Sequence, residues 1–231
     1  MYELGMPKNE YKNTVISDSP SLGLHESQSR FWENMISRSR SFWKYFYPLF
    51  KKTSPGSFDD MDFESWYRVV NLVKPSLIRV EADELTYCLH VILRFEIETG
   101  LMDDKIAVSD LPVIWNEKMQ EMFGITPSND VEGVLQDMHW SGGSIGYFPT
   151  YAIGTIYASQ IFNQIKKENP AVEAEIEKGD YQNILGWLDK NIHSFGRLMT
   201  ADEIIKNCCG EGLNSKAYIA VSYTHLTLPT N

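Results

Sequence analysis

The sequence predicts a mainly α-helical protein with at most a minor strand element. Apolar residues recur near the 3.6-residue period over most of the chain, alternation of period two is rare, and cap residues stand where the periodic stretches begin. From 22 to about 47, Leu24, Phe31, Met35, Phe42 and Phe46 fall near helical spacing, and Pro48 is read as ending the run. A second helix is expected over 59–73, capped by Ser57 or Asp59 and stopped before Pro75. Residues 77–80, between Pro75 and a turn at Asp83, are strand-like. Asp83 then caps the long helix ELTYCLHVILRFEIETG, with Gly100 as its expected C-cap. Further helices are expected at 111–122, 130–139, 150–167, 171–177, 182–193 and 201–209. Thr200 followed by Glu203 is a capping-box signature for the last of them. The stretch WSGGSIGYFPTY is too glycine-dense to be helical. There is no internal repeat, low-complexity tract or Pro/Ser-rich linker that would cut the chain into domains.

Composition excludes several classes. With 231 residues and 43% hydrophobic content, the chain can bury a sizeable core. A net charge of -10 argues against sequence-independent nucleic-acid binding, which needs Lys and Arg to displace counterions, and against acidic membranes. Three cysteines without a C-x-x-C pair suit neither a disulfide framework nor a thiolate zinc site, so a reduced, cytoplasmic compartment is expected. MYELGMPKNE has neither a basic n-region nor an apolar h-region, and no stretch is apolar for the length of a membrane helix.

Four constellations could carry chemistry. His25-Glu26 opens like the zinc-peptidase signature H-E-x-x-H, but Ser29 stands where the second histidine should be, and no other histidine pair has that spacing. The plain alternative is a solvated ladder of Glu26, Arg30 and Glu33 on one helix face. Arg79, just before a helix that opens with Asp83 and Glu84, can grip a carboxylate with two prongs, or simply pair with Glu81 or Asp83. In GVLQDMHWSGGSIGYFPTY, Gln136, Asp137, His139 and Trp140 precede a glycine loop that presents Tyr147. Such a tyrosine could donate to an oxyanion; the alternative is a structural turn at a helix end. Cys208-Cys209 reads as two small residues on a buried helix face.

Together and in this order, HESQSRFWEN, IRVEADELTY and GVLQDMHWSGGSIGYFPTYAIG resemble the thermostable-carboxypeptidase family of zinc metallocarboxypeptidases, over nearly all of 1 to about 219. The resemblance implies that Glu26 is the third metal ligand, completing a His-His-Glu set, with His25 a neighbour and not a ligand. MYELGMP is similar to the family segment that directly follows H-E-x-x-H-A. The chain is therefore expected to correspond to the C-terminal part of such an enzyme, without the two histidine ligands or the general-base glutamate. Zn2+ is the implied metal, with Co2+ or Mn2+ as alternatives, one per full-length subunit.

By the same resemblance Arg79 holds the substrate's terminal carboxylate, His139 binds substrate, and Tyr147 stabilises the tetrahedral intermediate. All three should line one cleft with Glu26, beside an apolar patch where the rest of the enzyme would pack. The implied activity is removal of single C-terminal amino acids from peptides that end in a free carboxylate, by a cytoplasmic homodimer. The chain alone is expected to be inactive. A non-catalytic helical interaction protein and a metal-free hydrolase using His139 and Asp137 are the rival readings. Residues 220–231, AVSYTHLTLPTN, depart from the family pattern and are read as a non-native tail, so His225 is no ligand candidate.

Overall fold

The computed structural model describes residues 2–6 and 11–225, with side chains through 220. They divide into two compact units, Met1–Val70 with Ile153–His225, and Asn71–Ala152. No β-strand occurs among the described residues. The first unit opens with a short α1, Tyr2–Gly5, and the single helix expected over 22–47 is two. Ser21 Oγ accepts from the Leu24 amide at 3.0 Å to start α2, Leu22–Arg30, which runs on as a π-helical turn, Phe31–Ile36. Ser39 then caps α3, Arg40–Thr53, accepting from the Phe42 amide at 3.1 Å.

Pro48 lies inside α3 and does not end it. A proline removes one helical hydrogen bond, but aromatic packing holds the turn beyond it. Trp43 and Phe50, on either side of the proline, both pack on Trp66 of α4, Phe63–Val70, with ring centroids 4.9 and 4.5 Å away. That helix is shorter than expected; Asp62 Oδ1 receives the Ser65 amide at 2.7 Å at its start.

The core of this unit joins Leu24, Phe31 and Met35 to Ile161, Phe162 and Ile165 of α7, Pro149–Glu168. Phe31 meets Phe162 edge-on at 5.8 Å. Burying each such side chain stabilises by about 1.5–3 kcal/mol. Val172–Ile176 forms α8, Gln182–Asn191 forms α9, and Ala201–Cys209 forms α10, each contributing buried aliphatics. The α10 capping box is present: Thr200 Oγ1 accepts from the Glu203 amide at 3.3 Å, and Glu203 Oε2 from the Thr200 amide at 2.8 Å. Lys216–His225 forms α11, so the backbone is helical into the expected tail, whose residues 226–231 lie outside those described.

The second unit is built on α5, Glu84–Met102. Asp83 caps it as expected, its Oδ1 accepting from the Leu85 and Thr86 amides, both at 2.9 Å. Gly100 does not end α5 but lies inside it, and Ile106 packs where a Cβ would stand, its Cδ1 only 2.5 Å from that position. Leu93 and Ile97 of α5 pack with Trp115 and Met119 of α6, Leu111–Phe123, which Gly124 terminates at φ 69°. Along its outer side α5 exposes Leu85, Ile92, Phe95 and Met102.

Two further expectations fail here, for one reason. The strand-like 77–80 is a loop entering a 3-10 turn, Arg79–Glu81, and 130–139 is a series of turns, not a helix. A single side chain, Gln136, serves both. Its Nε2 donates to the carbonyls of Leu77, at 3.0 Å, and Glu132, at 2.9 Å, while its Oε1 accepts from the Arg79 amide at 2.9 Å. It thus satisfies backbone groups that a partner strand would otherwise have met.

Candidate active site

The second unit gathers polar side chains around Asp137. Arg79, only 5% exposed, donates to it through Nη2 at 2.6 Å and Nε at 3.0 Å. This two-pronged pair replaces the surface pair with Glu81 or Asp83 that the sequence left open. Nη1 of Arg79 donates to the Tyr87 hydroxyl at 2.9 Å, and the guanidinium carbon stands 4.8 Å from the Tyr151 ring centroid. Arg94, fully buried and about two turns beyond Tyr87 on α5, gives Nε to Asp137 at 2.7 Å and Nη2 to Gln136 at 2.8 Å.

Two guanidiniums on one carboxylate set the electrostatics. Burial alone would raise the Asp137 pKa, but Arg79 and Arg94 outweigh it and hold the group below its ordinary value. Burial likewise opposes the Arg79 charge, and Asp137 more than offsets that, so its pKa is raised. Arg94 is pulled down to about 10, by burial first and with Arg79 adding to the effect against Asp137. Among the described residues, three of the five N–H groups of Arg79 are engaged, one on each of its three nitrogens.

His139 stands beside this cluster. Its Nε2 is 2.9 Å from the Tyr151 hydroxyl, and its Nδ1 is 3.7 Å from Asp137, beyond hydrogen-bond range. Burial lowers its pKa, Asp137 opposes, and the two arginines add to the drop, so the imidazole is neutral at pH 7. The Tyr147 ring lies 5.4 Å from the His139 ring and 5.4 Å from the Tyr151 ring. Arg79, His139 and Tyr147 thus share one site. Asp137 is occupied by arginines and is no general base, which removes the arrangement a metal-free His139–Asp137 hydrolase would need.

Glu26 lies in the first unit, half-buried on α2. The helix α7 passes close by because residue 154 is glycine: a Cβ there would meet Glu26 Cγ at 2.8 Å and its carbonyl carbon at 3.0 Å. Burial raises the Glu26 pKa, opposed by Arg30, Ser29 and His25, while Glu33 adds to the rise. The expected ladder is only partly solvated, since Arg30 is 5% exposed and reaches Glu33 at 2.7 Å and Thr155 Oγ1 at 3.2 Å. His25 faces a different way, into a pocket of about 290 Å³ that it lines with Tyr2, Gln28 and His193. Among the described residues no three His, Cys, Asp or Glu side chains converge to hold a metal ion. Glu26 is therefore insufficient by itself for a three-ligand catalytic zinc. Cys208 and Cys209 close α10, partly buried on the first unit's core with their sulfurs 3.6 Å apart.

Sequence reasoning missed Tyr87, Arg94, Glu98 and Tyr151 as parts of the site. A signal for three of them was present: Tyr87, Arg94 and Glu98 recur at spacings of seven and four, a polar stripe on a helix face that is otherwise core.

Comparison with known proteins accounts for this arrangement. The family model of carboxypeptidase Taq (M32) metallopeptidases matches residues 1–225. Carboxypeptidase 1 of Bacillus subtilis is 44% identical over 218 residues, 93% of this chain and 44% of that protein. Thermostable carboxypeptidase 1 of Thermus thermophilus is 40% identical over 220 residues, 95% of this chain and 43% of that one. The solved structure of Pyrococcus furiosus carboxypeptidase superposes with a TM-score of 0.92 at 40% identity, covering 97% of this chain and 45% of that one. The chain spans less than half the length of these relatives, yet nearly all of it is matched. It belongs to the carboxypeptidase Taq (M32) metallopeptidase family.

Proposed function

We propose that the chain supplies the carboxylate-recognising part of a zinc-dependent metallocarboxypeptidase that releases single amino acids from peptide C-termini. It would correspond to the C-terminal part of a cytoplasmic, homodimeric enzyme. The observation that carries this is the setting of Arg79. It is buried, fixed on two sides by Asp137 and Tyr87, set over the Tyr151 ring, and has two N–H groups that no described residue engages. A guanidinium held this rigidly discriminates by geometry, because little side-chain freedom remains to be lost on binding. A terminal carboxylate can accept from it; an internal peptide bond has no carboxylate to offer. That difference separates a carboxypeptidase from an endopeptidase.

His139, neutral and bonded to Tyr151, would orient the substrate's last residue, and Tyr147 would donate to the oxygen that becomes anionic. Glu26 would contribute one carboxylate toward the metal. The described residues do not complete the metal's site.

The test is binding of an N-blocked dipeptide to the full chain, followed by NMR of the His139 and tyrosine rings. The free acid should shift these rings, and the same dipeptide as a C-terminal amide should bind at least about tenfold more weakly, the cost of one charge-assisted hydrogen bond. Arg79→Lys should lose most of that discrimination. Equal binding of acid and amide by the unaltered chain would overturn the assignment of Arg79.

A further inference from the structure

Glu98 lies on the core face of α5, 4% exposed, and both of its carboxylate oxygens serve one loop. Oε2 accepts from the Trp140 indole N–H at 2.7 Å, and Oε1 from the Gly146 backbone N–H at 2.7 Å. Between these anchors residues 141–145 are exposed. The loop reverses through Gly143 and Gly146, at φ 77° and 76°, a region that favours glycine. Its own hydrogen bonds, from Gly142 to the Met138 carbonyl at 2.9 Å and from Ser144 to that of His139 at 2.8 Å, tie it only to its first half. What joins the far end back to α5 is Glu98.

The anchors fall beside the two residues that matter. His139 immediately precedes Trp140, and Tyr147 immediately follows Gly146. We propose that Glu98 is a positioning residue, which by gripping both ends of the glycine loop fixes the separation of His139 and Tyr147. What that pair does rests on the function proposed above; the grip itself does not. A carboxylate suits the task because two N–H donors need two acceptors. Glutamine has the same volume but one acceptor, and would turn an NH2 group toward a donor. A pocket of about 450 Å³, lined by Glu98, Trp140 and Ile145 with Leu101, Met102 and Ile106, adjoins the anchors and gives a released loop room to move.

The experiment compares the full chain with Glu98→Gln, Glu98→Ala and Trp140→Phe, the last removing one anchor while keeping an aromatic ring. Amide hydrogen exchange at 142–147 should speed by about tenfold or more in both Glu98 variants and by less in Trp140→Phe, with α9 unchanged. The ring-to-ring NMR contact between His139 and Tyr147 should weaken in the same order. A packing role alone predicts unaltered exchange in Glu98→Gln, and that result would overturn the proposal. Should Glu98→Ala fail to fold, Trp140→Phe decides, and unchanged exchange and contact there overturn it equally. Failure of the unaltered chain to bind the blocked dipeptide would count against the proposed function, while exchange still decides the grip.

Discussion

His193 and His90 are two buried histidines that make the chain acid-sensitive, one in each unit. His193, 4% exposed, has Nε2 2.9 Å from Gln28 Oε1, and burial pulls its pKa down to about 4 against the opposing charge of Asp189. His90 is fully buried with its ring 4.4 Å from that of Phe123, and burial, with Arg94 adding, also takes it to about 4. Between about 4 and the ordinary value of 6.5, the unfolded chain binds protons that the folded one refuses. Stability therefore rises with pH across that window, is complete above it, and is lost as the pH falls, by up to ~3 kcal/mol per histidine. The depressed Asp137 adds a loss at lower pH, where its salt-bridged carboxylate is finally protonated. The urea midpoint should be clearly lower at pH 5 than at pH 7, and His193→Gln, which removes one titrating group, should reduce that difference. Equal midpoints at both pH values would contradict the buried-neutral assignment of the two rings.

Elements were legible where a local signal fixes them and illegible where a distant contact does. The Asp83 cap and the Thr200–Glu203 box involve residues two or three apart, so the sequence displays them directly. Pro48 and Gly100 have the look of helix ends, yet both sit inside helices. Trp66 packs on the proline's turn from elsewhere in the chain, while beyond Gly100 the helix runs on to Met102 and the chain folds straight back to set Ile106 against it. The turns at 130–139 have helical spacing, but Gln136 and Asp137 are drawn to arginines 42 to 58 residues away. For the same reason the motif residues of the site could be named from sequence while Tyr151, known only through its contacts, could not. Gly154 is a case where the element itself yields a prediction. Its missing Cβ allows α7 to lie on α2 beside Glu26, and Gly154→Ala places a methyl within 3.0 Å of the α2 backbone. Helix propensity favours alanine by about 1 kcal/mol, but overpacking against backbone costs about 1–3 kcal/mol, so the clash should win. A lower melting temperature for Gly154→Ala is expected; a higher one would show that α7 is free to shift.

At the scale of the whole molecule, a chain matched over 93% of its length covers 44% of its Bacillus relative, so its residues have to be weighed for what they can do alone. The sequence contains no H-E-x-x-H, and among the described residues no three ligating side chains converge. Catalytic zinc sites of this kind use three protein ligands, and one carboxylate competes poorly with water for the ion. Glu26 alone should therefore give no tight zinc binding. Calorimetric titration of the full chain with zinc should show no stoichiometric site, and Glu26→Ala should leave that result unchanged. If the proposed function is right, a polypeptide carrying an H-E-x-x-H segment, added to the chain, should create a chelator-sensitive site and release a free amino acid from a blocked dipeptide. In that reconstituted state Glu26→Ala should abolish tight zinc, and Arg79→Lys should spare zinc while weakening the dipeptide. The two variants thereby separate the proposed metal ligand from the proposed carboxylate anchor. Tight, stoichiometric zinc on the unaltered chain alone would show that these residues assemble a site of their own, and that the roles given to Glu26 and its neighbours are wrong.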